Sequence, residues 1–112
     1  TRNPVHEGKY ILLKADKKVH RVRLQDILAI EGLGDYIKVH LDDSFLVVHD
    51  TLKNILDALP DSFFRVHKSW VVAIDRIEYI DGNTIKTVAF EVPVGLKYKE
   101  KFLGALGQGG AE

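Results

Sequence analysis

The sequence predicts a mostly β domain in which two short helices link or cover small sheets. Three observations carry this reading. Apolar and polar residues alternate along Tyr36 to Leu41 (YIKVHL), and after a tight turn at Asp42-Asp43 the apolar run Ser44 to His49 (SFLVVH) returns, the pattern of a hairpin. A second turn signal, Asp81-Gly82-Asn83, separates two further short runs. The period becomes helical in only two places. These are Thr51 to Leu59, with Leu52, Ile55, Leu56 and Leu59 on one face, and Gly95 to Leu106, with Leu96, Phe102, Leu103 and Leu106 apolar.

Taken in order, Thr1 to Lys9 is polar, with Pro4 and Gly8, and reads as a linker remnant. Tyr10 to Lys14 and Val19 to Leu24 form a first hairpin about the turn Ala15 to Lys18. A tight or short helical turn at Gln25 to Leu28 leads into Ile27 to Glu31, and Gly32-Leu33-Gly34-Asp35 breaks that strand. After the hairpin at Tyr36 to His49, Asp50 or Thr51 caps the first helix and Pro60 closes it. Arg76 to Ile80, Thr84 to Val88 and Phe90 to Pro93 complete a set of about eight short strands. The Gly-rich stretch from Gly107 to Glu112 reads as a flexible tail.

At 112 residues the chain suits one domain. Its 16 basic and 16 acidic residues cancel, which argues against a wholly basic nucleic-acid binder but leaves room for a local basic face. There is no cysteine, so disulfides and Cys-based zinc or nucleophile chemistry are excluded, and a reducing cytoplasm is the expected setting. No apolar run reaches the roughly 18 residues of a membrane span. The absence of methionine and the start at Thr1 suggest a fragment of a longer chain. The five histidines match no zinc spacing, no cofactor is implied, and no serine sits in a nucleophile context, so an enzyme is not expected.

The stretch Phe63 to Ile77, FFRVHKSWVVAIDRI, is the densest in the chain. It reads as two buried strands joined at a corner where Arg65, His67, Lys68 and Ser69 stand close together without a carboxylate, a donor set suited to a phosphate or a base edge. Trp70 reads as a core anchor, and Tyr98 as packing the last helix on the sheet. His67 reads as a packed histidine whose neutral imidazole satisfies a corner carbonyl. Arg65 is either a structural arginine paired with an acidic neighbour or a phosphate contact. Asp42-Asp43 reads as a solvated hairpin tip turned away from any anion.

Three segments together resemble the LytTR-type DNA-binding domain, the output module of many bacterial two-component response regulators. The first is an Ile-x-x-Ile-Glu strand running into a Gly-Asp-Tyr turn, here Ile27 to Tyr36. The second is the Phe-x-Arg-x-His-basic-Ser-aromatic core, here Phe63 to Ala73. The third is the Pro-centred signature Val92 to Tyr98. The resemblance covers Tyr10 to Leu106. Two positions depart from the pattern: Ala73 stands where the family has Asn, and Gly95-Leu96 where it has Ser-Arg.

The resemblance implies an elongated arrangement of small antiparallel sheets with two short helices, with loops rather than a recognition helix meeting double-stranded DNA. The contact positions it implies are Lys68 and Ser69 in the corner, Lys97 beyond the Pro-Val strand and the Asp35-Tyr36 turn. Arg65 and Lys99 would be phosphate contacts beside them, and His67 would stand next to the contact. It further implies a transcription regulator whose N-terminal receiver domain is missing from this fragment. Such domains bind direct repeats as two copies, the isolated domain being monomeric. The competing reading is a protein-interaction or regulatory β-module that uses the same basic corner.

Overall fold

A computed structural model describes residues 9–110, with side chains as far as Gly107. Of the expected linker only Lys9 is described, and its carbonyl accepts the Leu24 N–H at 3.0 Å. The strands are β1 (Tyr10–Ala15), β2 (Lys18–Arg23), β3 (Ile27–Leu33), β4 (Tyr36–Leu41), β5 (Phe45–Val48), β6 (Phe63–His67), β7 (Trp70–Ala73), β8 (Ile77–Asp81), β9 (Thr84–Thr87) and β10 (Glu91–Pro93). The helices are α1 (Leu52–Ala58) and α2 (Leu96–Gly110), and single 3-10 turns at Leu24–Asp26 and Ile74–Arg76 lead into β3 and β8.

All pairings are antiparallel, in three sheets: β1-β2, the five-stranded β5-β4-β3-β7-β6, and β10-β9-β8. The five-stranded sheet is the middle layer. Successive residues of a strand point to opposite faces, and both faces here are apolar. Ile30, Ile37, Val39 and Val71 join Leu13, Ala15 and Val22 of the first hairpin and Leu52 and Ile55 of α1 on one side. Their neighbours Ala29 and Val72 join Ile85, Val92 and Phe102 on the other, under β8–β10 and α2. The molecule is elongated, 45 × 32 × 24 Å.

Local chemistry sets the boundaries. The Thr51 hydroxyl accepts the Asn54 N–H at 3.1 Å, making Thr51 the cap of α1, while the Asp50 carboxylate accepts the N–H of Thr51. The first hairpin turns on two residues alone, Asp16 and Lys17, both with positive φ, the geometry of a type I′ turn. Arg76 corrects the solvated-tip reading of Asp42: its Nη2 pairs with the Asp42 carboxylate while Nη1 donates to the Gln25 carbonyl at 2.7 Å. One guanidinium thus staples the β4–β5 tip to the turn before β3. The expected tail is also shorter than read, because α2 continues through Gly110; Ala111 and Glu112 lie outside the described residues.

Phe102 is fully buried, with its ring 5.8 Å from that of Phe64, and anchors α2 on the middle sheet. Phe102→Ala should lower the unfolding free energy by about 3 to 5 kcal/mol, read by urea denaturation with an unchanged m-value. A loss under about 1 kcal/mol would mean that α2 is not part of the core.

Candidate nucleic-acid interface

The β6–β7 corner is built from its own polar groups. The pairing shifts register between Arg65 and His67, a bulge that takes fully buried Val66 out of the ladder and turns the strand end. Arg65 folds back along the turn. Its Nη2 donates to the Lys68 carbonyl at 2.6 Å and its Nε approaches the His67 carbonyl at 3.4 Å. The Ser69 N–H donates to His67 Nδ1 at 3.0 Å, and the Ser69 carbonyl accepts the Gly32 N–H at 2.8 Å. The corner backbone is therefore tied down from inside, and the Lys68 side chain is left exposed at its apex.

Two expectations change here. Arg65 bonds carbonyls of its own corner rather than an acidic neighbour. His67 bonds an N–H instead of a carbonyl, so Nδ1 carries no proton in this arrangement.

The neighbouring loops are drawn to this corner. Gly34, at φ +72°, makes the two-residue turn from β3 to β4, a backbone state that suits glycine. The next strand opens with Tyr36, whose ring meets that of His49 edge-on at 4.9 Å. From the other side, the Gly95 N–H donates to the Val66 carbonyl at 2.7 Å. A Cβ at Gly95 would stand 3.3 Å from the Tyr98 ring and 3.5 Å from His67, so a side chain here would need the Tyr98 ring to give by a few tenths of an ångström. The Arg65 guanidinium carbon lies 5.9 Å from the centre of the Tyr98 ring, joining the first turn of α2 to β6.

Of the residues singled out from the sequence, Tyr36, Arg65, Lys68 and Ser69 line one open cleft of about 270 Å³. Asp35 is exposed in the adjoining turn, and His67 is half-buried behind the corner. Lys97 is exposed in the first turn of α2, two residues beyond Gly95, while Lys99 is half-buried further along. Between Gly95 and Lys97, where the family pattern has arginine, Leu96 is 80% exposed. Thr51 and Lys53 from the start of α1 complete the cleft. Lys53 was missed by the sequence reading. Nothing near it in sequence marks it out, and it arrives only because β4 and β5 return the chain to the end of the sheet where Gly34 turns.

Trp70 is less of a core anchor than expected. It is half-buried beside the corner, its ring stacked on His40 at 5.6 Å and tilted against Phe90 at 5.9 Å. His40 Nε2 lies 3.3 Å from a Glu31 carboxylate oxygen. Burial among these rings pushes the His40 pKa below its ordinary 6.5; the Glu31 hydrogen bond and charge oppose the shift without overcoming it, and nearby Lys38 adds to it.

The fold is a β-rich module whose loops gather at this edge. The LytTr DNA-binding domain model matches residues 17–107, and the chain belongs to that family. It is a DNA-binding domain. Among solved structures it is similar to the LytTr DNA-binding domain of a Bacillus cereus protein described as a methyl-accepting/DNA response regulator. The two share 25% identity over 88% of this chain and 96% of that one, with a TM-score of 0.77. None of the curated proteins matches the sequence. Among the described residues, no group of three or more His, Asp or Glu side chains could hold a metal ion, and no helix is long and apolar enough to cross a membrane.

Because the folded state disfavours protonated His40, its contribution to stability is complete above pH 6.5 and is lost as pH falls through the lowered folded-state pKa. The difference in unfolding free energy between the wild type and His40→Gln should therefore shrink on going from pH 8 to pH 5. A difference that grows as pH falls would reverse the assignment. Arg65→Ala, which frees two corner carbonyls, should cost about 1 to 3 kcal/mol of stability; chemical denaturation within error of the wild type would show that the clamp is idle.

Proposed function

We propose that this domain reads double-stranded DNA sequence-specifically, as the output domain of a bacterial transcriptional response regulator, by inserting the loops of this edge into the major groove. One observation carries the reading: the corner, the Gly34-Asp35 turn and the Gly95 loop are joined by backbone hydrogen bonds at Gly32–Ser69 and Gly95–Val66. Loops held in fixed relation meet successive base pairs without paying ordering entropy at each contact. Lys68, exposed at the apex, donates to guanine O6 or N7. Lys97 does the same from the start of α2, and Ser69, Lys53 and Lys99 hold phosphates that set the register. Arg65 and His67 support the corner from behind. Asp35 accepts from a cytosine amino group, and Tyr36 packs its exposed ring on the sugar.

The Ser-Arg pair of the family pattern is replaced by Gly95-Leu96, which removes donors from this loop. The Leu96 side chain suits a thymine methyl group rather than a guanine. Two copies on a direct repeat would gain from each other by effective concentration, while a single copy binds one site weakly as a monomer. The family match favours DNA over an acidic protein as the ligand of the corner.

Selection from a randomised duplex library should enrich a short motif. On that motif Lys68→Ala should lose about 1 to 3 kcal/mol and tolerate more bases at one position. Lys53→Ala should weaken binding to all sequences alike and reduce the slope of log K against log salt by about 0.9. Enrichment of no motif, or a Lys68→Ala variant that binds like the wild type, would count against sequence reading through this corner. Leu96→Arg should raise affinity and shift the preferred base pair at one position toward G·C, seen in a parallel selection.

A further inference from the structure

The charge of this neutral chain is unevenly placed. Residues Lys9 to Arg23 hold six of its 16 basic residues (Lys9, Lys14, Lys17, Lys18, Arg21 and Arg23) but only one of its 16 acidic residues, Asp16. The local net charge is 6 − 1 = +5, which leaves the rest of the chain at −5. All six cations are exposed. The hairpin register explains how. The pairs Ile11–Val22 and Leu13–His20 face inward, where Leu13 and Val22 are buried in the core. The alternate pairs Tyr10–Arg23, Leu12–Arg21 and Lys14–Val19 therefore share the outer face. Arg21 lies over the Tyr10 ring at 4.9 Å. Arg23 is partly neutralised by Asp26 at 3.2 Å, so Lys14 and Arg21 on this face, with Lys17 in the turn at its tip, carry its positive charge, whereas Lys18 lies opposite Ala15 on the inward side.

The cleft at the β6–β7 corner carries three cations, one of them folded back on the corner carbonyls. A second positive surface thus lies on a different layer from the loops of the proposed readout. From the charge of this ribbon and the polyanion this family binds, we infer a second, sequence-independent DNA contact: the outer face of the β1–β2 hairpin holds the phosphate backbone of the duplex. The cations supply affinity by releasing counterions, and the Tyr10 ring packs on sugar between them. The inference rests on DNA binding by the domain but not on readout by the corner, and the two separate in experiment.

The test uses the 112-residue chain with random-sequence duplexes of 12 and 40 base pairs at several salt concentrations. The triple variant Lys14→Gln, Lys17→Gln, Arg21→Gln should lose about tenfold or more in affinity on the 40-base-pair duplex. Its salt slope should fall by about 0.9 for each phosphate contact removed, while the motif it selects stays the same. Lys68→Ala should do the reverse, changing selectivity and leaving the hairpin's share of the slope. In the wild-type chain, which carries no risk of misfolding, acetylation of Lys14 and Lys17 by acetic anhydride should slow several-fold in the presence of duplex. Wild-type affinity and slope in the triple variant, or acetylation at an unchanged rate, would overturn the inference.

Discussion

Burial of strands β3 and β7 on both faces is the constraint on which the rest of the structure depends. Ala29 and Ile30, and likewise Val71 and Val72, are adjacent in sequence and fully buried in opposite cores. Such strands can lie only in a middle layer, and something must cover each side. The β1–β2 hairpin with α1 covers one, and β8–β10 with α2 covers the other. The register that joins the pair then determines the proposed edge: Glu31 lies opposite Trp70, so Gly32 comes beside Ser69, and the turn after β3 and the corner before β7 emerge together.

At that edge the backbone is satisfied internally, so its side chains are available to a ligand. Arg65 and His67 both hydrogen-bond within the corner that displays Lys68. The arrangement is economical because a tight corner with unpaired carbonyls would be both costly and mobile. Gly95 plays the complementary part on the neighbouring loop. It gives up a side chain at a position where the family pattern has serine, and the loop closes against His67.

Much of the fold was legible in the sequence because its signals are local. The alternation in YIKVHL, the Asp-Gly turn and the switch to helical spacing after Thr51 each arise within a few residues. The family pattern then supplied the elongated set of small antiparallel sheets, and the two cores show how they are layered. What escaped depends on contacts far apart in the chain. Arg76 reaches Asp42 and Gln25 across the fold, which the local charge pattern does not reveal. Lys53 lies on the polar face of a short helix and joins the cleft only through topology. The end of α2 was placed too early because its glycines read as a tail, whereas a helix docked through Phe102 continues past them.

The account centres on three loops acting as one surface toward DNA. Its most direct test is an amide chemical-shift titration of the isotope-labelled domain with a duplex it binds. The account predicts that the N–H signals of Asp35, Tyr36, Lys68, Ser69, Leu96 and Lys97 move together along one binding curve. If those signals stay in place while the Asp42-Asp43 turn at the other end of β4 responds, the DNA lies elsewhere on the molecule and the proposed edge is not its binding surface.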